Sequence, residues 1–214
     1  MQKIIDISWP ITENSTEYKN RKTVKFLEAK NFIKDHARET ILELHIHTGT
    51  HIDAPAHFLE YGKTIQDISL GKLVHVEAVV LDLTGCDEKI TQKDLEKYGE
   101  KIKENFVILL KTKNSFLPFD APFNSEFVYV ADDAAEYLVS KKIAAIGIDY
   151  LGIERNQKNH PTHKKLLESN IIIIEGLRLE KAEQGNYFFT CLPILLPNLE
   201  AAPARAIIIK EEIK

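Results

Sequence analysis

The stretch His45-Ile46-His47-Thr48-Gly49-Thr50-His51-Ile52-Asp53-Ala54-Pro55-Ala56-His57-Phe58 holds four of the chain's eight histidines and an aspartate within fourteen residues. Neutral imidazoles beside a carboxylate suit zinc, manganese or iron better than calcium or magnesium. His47 and His51 are four apart, so on a straight strand their backbones would stand about 13 Å apart, an awkward span for one ion. Gly49 lies between them and can supply a turn that brings them together, because glycine takes backbone angles that other residues resist. His51 and Asp53, two apart, can point the same way. His57, beyond Pro55, fits either a further ligand or a free acid–base group. One isolated histidine here would read as a surface or core side chain; the whole set around a Gly and a Pro reads as a metal centre. The metallo-β-lactamase pattern requires Asp-His where Gly49-Thr50 stand, and an amidohydrolase barrel usually needs a longer chain, so neither fits.

Such a cluster needs a strand that runs into a constrained loop. Thr40 to His47 alternates apolar and polar residues, the period of a half-buried strand. Leu42, Leu44 and Ile46 are then expected to face a core, with Glu43, His45 and His47 on the opposite face. Thr48-Gly49-Thr50 breaks the pattern, and Ala54-Pro55-Ala56 cannot continue a central strand. Loops of this kind on a rigid scaffold commonly carry function.

A second pair stands in the C-terminal half. Glu175 follows four isoleucines, and a carboxylate so placed is seldom left in a core without a partner. His163 falls early on a helix expected over Thr162–Ser169, with Pro161 suiting its first turn; His160 competes with it. Asp149 follows a strand expected over Ile143–Ile148, a place where α/β sheets often carry a site, or it simply starts a turn. Further strands are expected over Lys3–Trp9, Leu73–Leu83, Asn105–Lys111, Ile171–Ile174, 186–194 and 204–209. His75, within one of them, reads as structural. Thr91 is a plausible cap with Asp94 three residues on, and Asp132 or Asp133 is expected to cap a helix reaching Lys141.

The run His47 to Phe58 resembles the signature of the metal-dependent cyclase/hydrolase family, which includes bacterial kynurenine formamidases and isatin hydrolases. Asp6-Ile7-Ser8 is similar to the family's Asp-Ile-Ser element. Pro203-Ala204-Arg205-Ala206 resembles its terminal Pro-x-Arg element, where Arg205 is expected in a structural salt bridge, and Asp149 resembles a position at the active-site rim. The resemblance implies a single α/β domain over 1–214 of the swivelling β/β/α class, a mixed β-sheet assembly with flanking helices. It implies two divalent ions, zinc or manganese: one on His47, His51, Asp53 and Glu175, the other on Asp53, Glu175 and His163. Shared carboxylates are what two cations about 3.5–4 Å apart require. His57 is left for proton transfer, and a small-molecule amide is the implied substrate, with N-formylkynurenine the lead. Cyclic amides of the isatin type, or metal binding without turnover, are the alternatives. The loop Thr12–Lys22 departs from the kynurenine formamidase pattern, in which an aromatic is followed by Pro-Gly-Asp. Here Tyr18 takes the aromatic slot, at the substrate, and Lys19-Asn20-Arg21 follow, either selecting an acidic substrate or simply solvated. The family also suggests a homodimer or homotetramer.

Composition bounds the rest. The 214 residues are 44% hydrophobic and 28% charged, with a formal charge of −4, which gives no electrostatic case for nucleic acid or an anionic membrane. Two cysteines, Cys86 and Cys191, make no disulfide framework and suit a reducing compartment. The first residues are too mixed for a signal peptide and no apolar run reaches a membrane span, so a cytoplasmic location is expected.

Overall fold

The computed structural model describes residues 3–210. In chain order the strands are β1 (Lys3–Asp6), β2 (Lys25–Lys30), β3 (Glu39–Glu43), β4 (His51–Asp53), β5 (Val76–Asp82), β6 (Lys89–Ile90), β7 (Val107–Lys111), β8 (Tyr129–Val130), β9 (Ala145–Ile148), β10 (Ile172–Glu175), β11 (Gly185–Pro193) and β12 (Ala201–Lys210). The α-helices are α1 (Phe32–Asp35), α2 (Gln92–Glu96), α3 (Asp132–Ser140) and α4 (Pro161–Glu168). The main sheet runs β1-β12-β11-β5-β7-β9-β10-β4, and β4 pairs again with β12. It therefore closes on itself. The closure works because β12 is long: Ala201–Pro203 pair with β4, while Ile207–Lys210 pair with β1.

Strands β5, β7, β9 and β10 are mutually parallel and the other ladders of this sheet are antiparallel. The parallel strands are buried on both faces, which is why they read as continuous apolar runs. Ala78 and Val80, Val107 and Leu109, and Ile172 and Ile174 point into the closed sheet, where they meet Phe189, Cys191 and Ile208. Their neighbours Val79, Leu81, Ile108, Leu110 and Ile173 point outward, under Leu138 of α3 and Leu166 of α4. Each fully buried Val, Leu, Ile or Phe among them contributes about 1.5–3 kcal/mol of burial. The result is the α/β architecture with a mixed sheet that the chain's resemblance implies. No helix among the described residues is long and apolar enough to cross a membrane.

Several elements differ from expectation. The strand over Thr40–His47 stops at Glu43 and pairs only with β2, so β2, α1 and β3 form an arm outside the main sheet. Leu42 is exposed rather than core-facing, as are Phe26, Leu27, Phe32, Ile33 and Ile41, while Leu44 and Ile46 are only half-buried. Alternation shows that a strand has two faces, but not that either face meets a core. The buried strand is the three-residue β4. At the N-terminus the ladder ends at Asp6, although Ser8 still bridges to Leu177. The cap position of α3 is Ala131, with Asp132 and Asp133 in the first turn. There the acidic pair complements the helix dipole, and Asp133 also accepts from the Gln92 N–H of α2. Helix α2 starts as expected, with Asp94 accepting from both the N–H and the hydroxyl of Thr91.

Candidate metal centre

The register of the sheet sets the first side chains. In the β4–β10 ladder Glu175 lies opposite His51, and Ile173 opposite Asp53. Residues at alternate positions share a face, so His51, Asp53 and Glu175 project together while Ile52 and Ile174 enter the core. Helix α4 lies over this face and supplies His163 from its first turn. Gly49, at φ +61°, turns the chain so that His47 comes back over Asp53.

Asp53 is the hub. It is 0% exposed, yet neither of its oxygens has a hydrogen-bond partner. His47 Nδ1 lies 3.0 Å from Oδ1, His51 Nε2 3.6 Å from Oδ1, and His163 Nε2 3.7 Å from Oδ2. Glu175 Oε2 lies 3.4 Å from His51 Nε2, and its Oε1 lies 3.4 Å from His163 Nε2. Its Oε1 also accepts from the Ile153 N–H. The His57 ring stands 4.3 Å from that of His47 and 5.8 Å from that of His163. The structure thus brings together the five residues expected as metal ligands and His57, expected for proton transfer. Ligand atoms of His51, Asp53 and Glu175 fall within 4.8 Å of one another, as do those of His47, Asp53 and His57.

These donors fit a cation. His51 Nδ1 faces the Gly49 carbonyl at 2.9 Å, so it donates there and Nε2 carries the lone pair. That lone pair faces two carboxylates, an acceptor among acceptors. Burying Asp53 without a hydrogen-bond donor costs several kcal/mol, and a divalent ion beside it would remove the cost. The charge balance agrees. Burial opposes the charge on Asp53, but His163 and His47 hold it well below the usual carboxylate range. Burial and Asp53 push Glu175 up, and His163 and His51 outweigh them, holding it to about 2. Burial disfavours charge on His51 and His163, yet the facing carboxylates raise both. The carboxylates demand positive charge, which a metal supplies.

Glu154 belongs to the site and was not anticipated. Its Oε2 accepts from the Thr162 N–H at 3.1 Å and the His163 N–H at 3.3 Å, satisfying two otherwise orphaned donors at the start of α4. Its Oε1 lies 3.2 Å from His163 Nδ1 and also bonds His160 Nδ1. A carboxylate behind an imidazole fixes the ring's tautomer and direction. In the sequence Glu154 sits in a polar loop; the available signal was Pro161 at the helix start, behind a residue that offers no side-chain cap. His160 is therefore tied to Glu154 and stands apart from Asp53.

A cavity of about 260 Å³ opens above the cluster, lined by His57, Phe58, Leu151, His160 and Glu175 among others. Tyr18, Lys19 and Arg21 form part of its wall, and Tyr18 packs edge-on against Phe123 at 4.9 Å. Burial raises the Tyr18 phenol and lowers His57. Asp149 corrects the expectation of a residue at the rim. It is fully buried away from the cavity and accepts from Thr112, Asn114 and Ser115, holding the loop after β7. Arg205 pairs with Asp6, and His75 stacks on Phe188 at 4.3 Å, both outside the site.

Residues 5–155 match the family model described as "Putative cyclase". A solved structure described as a potential metal-dependent hydrolase with cyclase activity is 42% identical, covers 100% of both chains and superposes with a TM-score of 0.89. Cyclase-like protein 1 of Arabidopsis thaliana is 32% identical over 97% of this chain and 85% of its own length. A kynurenine formamidase of Bacillus thuringiensis is 32% identical over 78% of each chain. With the family model covering most of its length and the fold shared end to end, the chain belongs to the metal-dependent cyclase/hydrolase family.

Proposed function

We propose that the chain is a dinuclear metal-dependent hydrolase of carbon–nitrogen amide bonds, with an aryl formamide such as N-formylkynurenine as its lead substrate. The observation that carries the reading is Asp53, fully buried and without hydrogen-bond partners, with three imidazole nitrogens within 3.7 Å. The kynurenine formamidase relative supports the choice of bond and of lead substrate.

His47, His51, Asp53 and Glu175 would hold one ion; Asp53, Glu175 and His163 would hold the other. Zinc or manganese bound there would polarise the scissile carbonyl and make water nucleophilic at neutral pH. His57 is the group left for proton transfer. Burial favours its neutral ring, so it can take the proton of the attacking water and pass it to the leaving nitrogen. Glu154 keeps the His163 ring aimed at the carboxylates. Tyr18, Phe58 and Leu151 offer an apolar wall for an aryl ring.

The reading includes self-association. The arm turns Phe26, Leu27, Phe32, Ile33, Ile41 and Leu42 to solvent, and an isolated two-stranded hairpin is marginal unless something packs on it. A second copy of the chain is the proposed cover.

Metal-free protein reloaded separately with zinc and manganese tests the assignment. Turnover of N-formylkynurenine with at least one metal, and none without, is the expected result. Two bound ions with no turnover would contradict the aryl formamide assignment.

A further inference from the structure

The cavity wall carries two cations that the proton-transfer and metal roles leave unused. Lys19 and Arg21 line the same cavity as His57, Glu154 and Glu175. Their charged groups both stand over the Tyr18 ring, at 5.3 and 5.6 Å from its centroid. Among the described residues neither has a carboxylate partner, whereas Arg155, Arg178 and Arg205 each do. Arg21 Nη1 lies 3.0 Å from His45 Nε2, and most of the guanidinium's five N–H donors are free.

The turn that presents them is held, not loose. Lys19, Asn20 and Lys22 all have left-handed φ, near +55°, +57° and +58°. Non-glycine residues keep such angles only where the surroundings fix them, and here they do. Asn20 Oδ1 accepts from the Phe123 N–H at 2.8 Å. The buried Glu17 carboxylate accepts from the Thr23 N–H, the Thr23 hydroxyl and the Val24 N–H. Glu17 is the nearest acid in sequence, and it is spent on bracing the turn instead of neutralising Arg21. An unpaired guanidinium and an ammonium on a fixed turn, in the wall of a small cavity, form a receptor for an anion. Arginine's fork suits a carboxylate in particular.

We infer that Arg21, with Lys19 beside it, is the specificity-determining residue that binds the carboxylate of the amide substrate while the amide lies toward His57. This rests on the hydrolase reading above and assigns the residues that would hold the substrate's carboxylate.

The test uses a matched pair of aryl formamides, N-formylanthranilate and formanilide, which differ by one carboxylate. The metal-loaded wild type should prefer N-formylanthranilate in kcat/KM, chiefly through KM. Arg21→Gln should cut that preference ten- to hundredfold, the range of a lost charge-assisted hydrogen bond. Arg21→Lys should restore part of it, and Lys19→Asn should cut it less. Direct binding of anthranilate, followed by its own fluorescence, gives a readout independent of turnover. It should weaken tenfold or more in Arg21→Gln. Equal preference in wild type and Arg21→Gln, with unchanged anthranilate binding, would overturn the proposal and leave Arg21 a solvated charge. Arg21-dependent anthranilate binding without hydrolysis of either amide would uphold the carboxylate site and overturn the hydrolase reading alone.

Discussion

The carbonyl oxygen of Gly49 lies 2.2 Å from where a β-carbon on residue 176 would sit, so Gly49 and Gly176 meet backbone to backbone. This contact joins the turn that precedes His51 to the end of the strand that carries Glu175. Thr50 reinforces it, donating through its hydroxyl to the Gly176 carbonyl at 2.5 Å and accepting from the Trp9 N–H at 2.7 Å. Gly176 also sits at φ +68°. Gly176→Ala should therefore destabilise the fold by about 2–4 kcal/mol and loosen metal binding with it. Urea unfolding checks the first and metal titration the second; wild-type values for both would show the contact to be dispensable.

Glu154 offers a prediction about positioning. Its carboxylate braces His163 from behind and caps two N–H groups of α4. Glu154→Gln should weaken metal affinity about 10–100-fold, the usual cost of losing such a partner, while the protein stays folded. Competition with a chelator would measure it. Unaltered affinity would reduce Glu154 to a helix cap.

His57 sets an expectation for pH. Burial disfavours its charged form and lowers its pKa below the ordinary 6.5. The ring is the proton acceptor only when neutral, so kcat/KM should fall on the acid side only below about pH 6.5. His57→Ala should retain metal, lose about 10²–10⁴-fold in rate and lose that acid limb. Loss of an ion in this variant would make His57 a ligand.

The arm predicts association. Ile33 is 90% exposed at its tip, and Leu42 is exposed on β3. Ile33→Asp with Leu42→Asp should shift the protein to a monomer in sedimentation without unfolding the main sheet. A wild-type monomer would remove the need for any cover on the arm.

Much of the site was legible because its chemistry is local. His47, His51, Asp53 and His57 lie within eleven residues of one another, and their types alone suggest a metal. Glu175 was visible as a carboxylate behind isoleucines that had to be buried. What stayed hidden depends on the third dimension. Glu154 looked like one more polar loop residue because its partners, Thr162 and His163, lie eight and nine residues on. Asp149 looked like a site residue because sequence shows a strand end, not that loop 112–115 folds over it. Leu42 was misread because β3 has the period of a half-buried strand but leaves the sheet. The β4–β12 pairing that closes the sheet joins residues about 150 apart, and no local pattern announces it.

The most direct measurement is the metal content of the purified protein beside its Asp53→Ala variant. The carboxylate at the hub is proposed to bridge both ions, so two per chain in the wild type should fall to none in the variant. Two ions per chain retained by Asp53→Ala would contradict the account.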